Sequence, residues 1–284
     1  MPNSEKIIEA TAEYGGIAAG AVIGGVIGTA IAGPAGSVLG ALAGTGLEKA
    51  FTWAGKEIKE RCLSTAENRK IGTVYELAKN KIEENLNAGK HLRTDEFMEC
   101  EAQSRPAYEE LLESTLFTAQ RECEEKKLKY IANLYANINF QIPQQWGMNI
   151  DSQAANKLMK IVSDLSYREI VILAVIGRYQ NGSLTKPPRR ENIFHNINQQ
   201  KNYIASEVFD LYCRGLVYSD EIILYAGAIN PQKLNLNGYG ATLFNLMELS
   251  TMPEDNVIDD VISFMSGIKV VSGDSSKNDE WSSN

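Results

Sequence analysis

The feature that most constrains this chain is an uncharged run over residues 14–47, YGGIAAGAVIGGVIGTAIAGPAGSVLGALAGTGL. Small residues recur at every fourth place: Gly16, Gly20, Gly24, Gly28, Ala32, Gly36, Gly40 and Gly44. On an α-helix that spacing lines them along one face, leaving Val22, Ile23, Val26, Ile27 and Ile31 on the others. In water such a helix is poor, because each interior glycine costs about 1 kcal/mol relative to alanine. In lipid, a stripe of small residues lets two helix backbones approach closely. The run therefore disfavours an isolated helix and favours a paired one. A membrane-spanning helix needs about 20 apolar residues, so the run is long for one span and short for two. Gly33-Pro34-Ala35-Gly36 is a turn signal near its middle. The expectation is a helical hairpin, with residues 15–32 as one arm and 37 to about 54 as the other. The second arm meets Glu48 and Lys49 early, so it crosses a bilayer only if those side chains snorkel. The competing readings are a glycine-rich hairpin buried in a soluble core and a flexible Gly-Ala tract.

Charge and composition say what would drive membrane contact. Over its 284 residues the chain has a formal net charge of −8, a field that opposes nucleic acid and anionic headgroups at long range. Attraction to a bilayer must then come from apolar burial. The first residues, MPNSEKIIEATAEY, carry three glutamates against one lysine, unlike the basic start of a secretory signal. The expected location is cytoplasmic, associating with the inner membrane. Cys62, Cys100, Cys123 and Cys213 form no CxxC pair, and His91 and His195 stand far apart. Zinc ligands come at close, paired spacing, so no metal site and no cofactor is expected.

Beyond the run the chain reads as helical. Leu47, Ala50, Phe51, Ala54, Ile58 and Cys62 share one face of an amphipathic helix. Trp53 beside them is either an interface anchor or core packing. Ser64-Thr65-Ala66-Glu67 is a capping box, and the helix it opens closes at Gly89. After Pro106 the periodicity predicts one long helix from Tyr108 to Ile138, with Glu122, Glu124, Glu125, Lys126, Lys127 and Lys129 as a solvated charged face. Asp151 and Ser166-Tyr167-Arg168-Glu169 open two more helices, the second running into the apolar stretch 170–176. A helix over 202–213 ends at Gly215. The β-formers at 216–218 and 222–225 read as strands, with 234–236 as a returning partner. Helices from Gly238 and from Pro253 finish the pattern, and the tail from Ser272 lacks one. The expected fold class is mainly α. Residues 1–63 form the glycine-zipper hairpin and the amphipathic helix after it. Residues 64–149 form a helical domain, 150–267 a C-terminal winged-helix-like α+β unit, and 268–284 a disordered tail.

Few constellations invite chemistry. No GxSxG, HExxH, P-loop or GxGxxG stands in the strand-to-helix context that gives it meaning, so a non-enzymatic protein is expected. A winged-helix-like order invites a DNA reading through Arg168, Arg178, Lys186, Arg189, Arg190, Lys201 and Arg214. The helix that would enter the groove also carries Glu207 and Asp210, which opposes phosphate contact.

Three stretches carry a family resemblance: EEKKLKYIANLYANI at 124–138, ANKLMKIVSDLSYREIVIL at 155–173 and LNLNGYGATLFNLMEL at 234–249. Over residues 66–265 the chain resembles the bacterial abortive-infection alpha (Abi-alpha) group, with the glycine run as a departure. The resemblance implies a helical phage-defence or prophage-linked protein and transfers no catalytic residue. The function expected is a membrane-active effector. Gly16, Gly20, Gly24, Gly28, Gly36, Gly40 and Gly44 would pack copies into an oligomer in the lipid bilayer, and Trp53 is a possible interface anchor. The alternative is a membrane-anchored module that binds a protein partner or regulates, and a DNA-binding regulator is the third.

Overall fold

The computed structural model describes residues 46–60, 63–99, 105–142, 150–185 and 199–266. The first arm of the expected hairpin, the second arm up to residue 45, residues 186–198 and the tail from 272 lie outside them. The described residues are mainly helical, with nine α-helices and one two-stranded sheet. Two compact units divide them. The first runs to Tyr167 and includes Asn245–Glu248; the second comprises Arg168–Phe244 and continues from Leu249.

The first unit begins with α1 (Gly46–Glu60). It starts inside the expected second arm, and its Leu47, Ala50, Phe51 and Ala54 are all at most 1% exposed. This part of the arm is therefore packed against protein. The Phe51 ring meets Tyr75 edge-on at 5.1 Å and Tyr135 at 6.0 Å, and the Tyr75 hydroxyl donates to the Phe51 carbonyl at 3.1 Å. Burying a side chain the size of leucine or phenylalanine contributes about 1.5–3 kcal/mol, enough to fix this helix in place.

Helix α2 (Thr65–Asn87) opens on the expected capping box. The Ser64 amide donates to the Glu67 carboxylate at 2.9 Å, and Ser64 Oγ accepts from the Glu67 amide at 3.3 Å. Gly89, at φ 78°, supplies the left-handed turn that follows the helix. Helix α2 packs on α3 (Ala107–Arg121) and α4 (Leu128–Ile138), and α3 in turn holds α1 and α5 (Ser152–Asp164). Because α5 packs on α3 and α4, the first unit extends past the expected boundary at 149 to Tyr167. Asp151 caps α5, accepting from the Ala154 amide at 2.7 Å.

The expected long helix from 108 to 138 is two helices, because the charged cluster breaks it. Glu122 turns inward, 8% exposed, and pairs with Lys127, 2% exposed, at 2.5 Å. The other Glu122 oxygen accepts from the backbone amides of Cys123 and Glu124 at 2.8 and 2.9 Å. An acid that satisfies two amides cannot sit on a continuing helix, and a 3-10 turn at Glu125–Lys127 restarts the chain into α4. Neighbouring segments join the knot. Lys70 donates to the Glu122 carbonyl at 2.7 Å, Arg69 pairs with Glu125, and Glu124 accepts from the Tyr167 amide at 2.8 Å. Of the cluster read as a solvated face, Glu122 and Lys127 thus form a buried junction, while Glu124, Glu125, Lys126 and Lys129 are exposed as expected.

The second unit contains most of α6 (Tyr167–Gln180), where residues 170–176 are each at most 1% exposed. Helix α7 (Gln199–Cys213) follows and ends at Gly215, φ 71°. Strand β1 (Val217–Ser219) pairs antiparallel with β2 (Leu234–Leu236), with Tyr218 opposite Asn235. Residues 222–225, expected as strand, are not paired; they belong to the connection between β1 and β2. Helices α8 (Gly238–Leu246) and α9 (Asn256–Ser266) complete the order. Gly240 lies against the Leu216 backbone, closer than a side chain would permit.

Lys127→Ala leaves the Glu122 carboxylate buried and uncompensated, a loss of about 3–5 kcal/mol. Urea denaturation followed by circular dichroism should register a loss of that size. Glu122→Ala should cost at least as much, since it also orphans two amides.

Candidate functional site

The residues singled out for self-packing, Gly16, Gly20, Gly24, Gly28, Gly36, Gly40 and Gly44, lie outside the described residues. What the structure gives is the point where their run enters the fold. Gly46 opens α1 pressed against the Tyr108 hydroxyl, where a β-carbon would collide. Leu47 next to it has no exposure. Trp53 is half-buried on the same helix, and the Arg105 guanidinium lies 4.8 Å from its ring centroid. Arg105 is held in turn by Glu113 at 2.9 Å. Trp53 thus has a cation–π partner within the first unit.

A second construction was not legible from periodicity. Asn133 and Asn137 project from α4 and donate to the carbonyls of Met247 and Leu246, at 3.2 and 2.7 Å. Those carbonyls lie at the end of α8, where no intrahelical donor remains. Asn85 of α2 donates to Asn137 at 2.8 Å, Lys90 donates to Asn85 at 2.7 Å, and Lys81 pairs with Glu248 at 2.7 Å. The chain reverses at Glu248 in the left-handed region, φ 57°. The repeated "AN" of the 124–138 stretch is therefore a capping device for a segment more than a hundred residues away.

The polar inventory of the first unit includes groups with shifted proton affinities. Hydrogen bonds from Gln120 and from Ser64 hold Glu67 down at about 2. Desolvation pushes Glu76 and Glu83 up from the usual carboxylate range, with Lys79 offsetting part of the shift. One carboxylate oxygen of each is buried without a hydrogen-bond partner, and Lys79 on the same helix is 4% exposed. Burial also raises Tyr75 to about 12. Two grooves open on this unit. One, of about 810 Å³, is lined by Glu110, Glu113, Phe117, Arg121 and Cys123 among others. The other, about 630 Å³, is lined by Arg93, Asp95, Glu96 and Arg105, with Arg93 forked on Asp95 at 2.6–3.0 Å. Among the described residues no three His, Cys, Asp or Glu side chains gather to hold a metal ion.

In the second unit the cations considered for phosphate contact have acidic neighbours. Arg168 donates twice to Glu207, both at 2.6 Å, a bidentate pair. Arg214 lies 3.1 Å from Asp210 and 3.8 Å from Glu169. Arg178, 5% exposed, pairs with Glu254 at 2.8 Å and donates to the Met252 carbonyl. Glu207 and Asp210 thus draw two arginines onto α7. Lys186, Arg189 and Arg190 lie outside the described residues, as does the side chain of Lys201.

No helix among the described residues is long and apolar enough to cross a membrane. Comparison of the chain with protein-family models, with curated proteins and with solved structures finds no match.

The two kinds of carboxylate predict opposite pH effects. Glu76 has a raised folded pKa, so its stabilising contribution is complete below the unfolded value and is lost as pH rises. Glu76→Gln should therefore raise the melting temperature at pH 7.5, and the gain should vanish on acidification towards pH 4.5. Glu67 is depressed, so its contribution is present above 4.5 and lost as pH falls to about 2. Glu67→Gln should lower the melting temperature at neutral pH, an effect that fades over that acidic window. Thermal melts in buffers from pH 2 to 8 read both.

Proposed function

We propose that this chain is a membrane-active, non-enzymatic effector of abortive-infection type, cytoplasmic and associating with the inner membrane. Its glycine-faced residues 15–45 insert into the bilayer and pack copies of the chain into an oligomer. The observation that carries this reading is the four-residue period of small residues, which suits close helix pairing in lipid. The run leads directly into α1, whose apolar face is buried in the first unit. That gives the inserted segment a firm attachment to the body, so that burial of Leu47 and Phe51 ties the hairpin's position to folded protein. The second unit, read as winged-helix-like from its helices and small sheet, serves as the regulatory or partner-binding part. The acidic neighbours of Arg168 and Arg214 favour a protein partner over DNA. The likeness of residues 124–138, 155–173 and 234–249 to the Abi-alpha group supports the defence setting.

The test is the triple variant Gly20→Leu, Gly24→Leu and Gly28→Leu in the full chain. Bulky side chains on the packing face should cut dye leakage from vesicles by about tenfold or more, while the circular dichroism melt stays in place. Leakage equal to the parent would overturn the mechanism. Deleting residues 15–46 separates the reading from that of an anchored regulator. An effector loses toxicity on expression, whereas a regulator keeps binding its partner in solution.

A further inference from the structure

The connection between β1 and β2 in the second unit exposes large apolar side chains in a cluster. Ile222, Leu224 and Tyr225 are 81%, 78% and 64% exposed. This is not a slack loop. Ile223 and Ile229 within the same stretch are 4% and 1% exposed, so the loop is pinned inward at two points. The 3-10 turn at Ala226–Ala228 packs on α7, and that at Pro231–Lys233 on α9. Gly227 lets the Tyr225 ring lie against the backbone, where a β-carbon would stand 2.8 Å from it. The acidic residues at the base are turned towards partners of their own. Asp220 accepts from the Tyr218 hydroxyl at 2.6 Å, and Glu221 accepts from Asn230 at 3.4 Å.

We propose that this loop is a membrane-docking finger that seats Ile222, Leu224 and Tyr225 in the interface of an electrically neutral bilayer. The inference rests on the membrane reading above and adds a second contact, in the other unit. Charge points to a neutral surface: no charged residue occurs from Ile222 to Gln232, and the whole chain carries −8, so anionic lipid gains nothing. Size argues against a second copy or a protein partner as the occupant. The uncharged stretch 222–232 is eleven residues long, short of the roughly 20–30 residues a side of a stable protein interface. Two aliphatic side chains and a tyrosine have the composition of an interfacial contact, with apolar bodies towards the acyl chains and a phenol at headgroup level.

The experiment uses the full chain with Cys62, Cys100, Cys123 and Cys213 replaced by serine, and Leu224→Cys carrying an NBD fluorophore. It is mixed with phosphatidylcholine vesicles. The expected result is a blue shift of NBD emission and quenching by lipid-borne quenchers. The variant Ile222→Asn, Leu224→Asn, Tyr225→Ser, which leaves Ile223 and Ile229 in place, should co-sediment with vesicles about tenfold more weakly than the parent. Water-like NBD emission on vesicles that do bind the protein would overturn the finger and leave the glycine-run reading intact. A blue shift that grows with protein concentration without vesicles would overturn it in favour of contact between copies. Failure of the parent to co-sediment would overturn both readings. Introducing Gly20→Leu, Gly24→Leu and Gly28→Leu into the labelled protein separates them: undiminished leakage with a persistent NBD shift would remove the glycine mechanism alone.

Discussion

The first unit depends on one buried ion pair. Glu122 and Lys127 meet where α3 ends and α4 begins, and almost no water reaches either. In a low-dielectric setting such a pair stands only if its remaining valences are met. They are met here by the amides of residues 123 and 124 on one Glu122 oxygen. The geometry that satisfies the acid also sets the angle between the two helices. From that corner, the Lys70 bond fixes the start of α2, and the Glu124 bond to the Tyr167 amide fixes where α6 begins. Three stretches distant in sequence, at residues 69–70, 122–127 and 167, are registered by a few charge-assisted contacts, and the apolar faces then close around them.

The apolar faces themselves were legible. Spacing of three and four marks the buried side of α1 and α2, and the capping box at Ser64 and the turn at Gly89 stand where the residue types require. The unbroken apolar stretch 170–176 is buried on all sides. These are local signals, each set by a few neighbouring residues. The misreadings share a different cause. A charged cluster has the same sequence whether it faces water or turns inward, and only Lys70 and the helix ends around it make the inward choice favourable. Residues 222–225 have strand-forming side chains, but pairing needs a partner strand in register, and β2 is taken by 217–219. Asn133 and Asn137 carried no signal of their own, because the carbonyls they cap arrive more than a hundred residues later.

For the candidate site, the sequence carries the glycine period and the structure carries its attachment. The period concerns how helices would pair; α1 concerns how the chain that follows the run is held. With Phe51 wedged between Tyr75 and Tyr135, movement of the run past Gly46 would expose aromatic surface in the middle of the first unit. This aromatic cluster therefore holds the chain from Gly46 onward.

The asparagine caps have a consequence for dividing the molecule. Because Asn245–Glu248 belongs to the first unit, that unit is discontinuous in sequence, and the covalent chain leaves it after Tyr167, revisits it briefly and leaves again. A fragment ending at residue 167 would keep every helix from α1 to α5 yet lose Leu246, Met247 and Glu248, which receive Asn133, Asn137 and Lys81. Gene fusion, truncation or natural recombination at that apparent boundary would thus yield a body with a polar hole in its wall. The smallest heritable piece of this architecture that keeps its wall intact runs from α1 through Glu248.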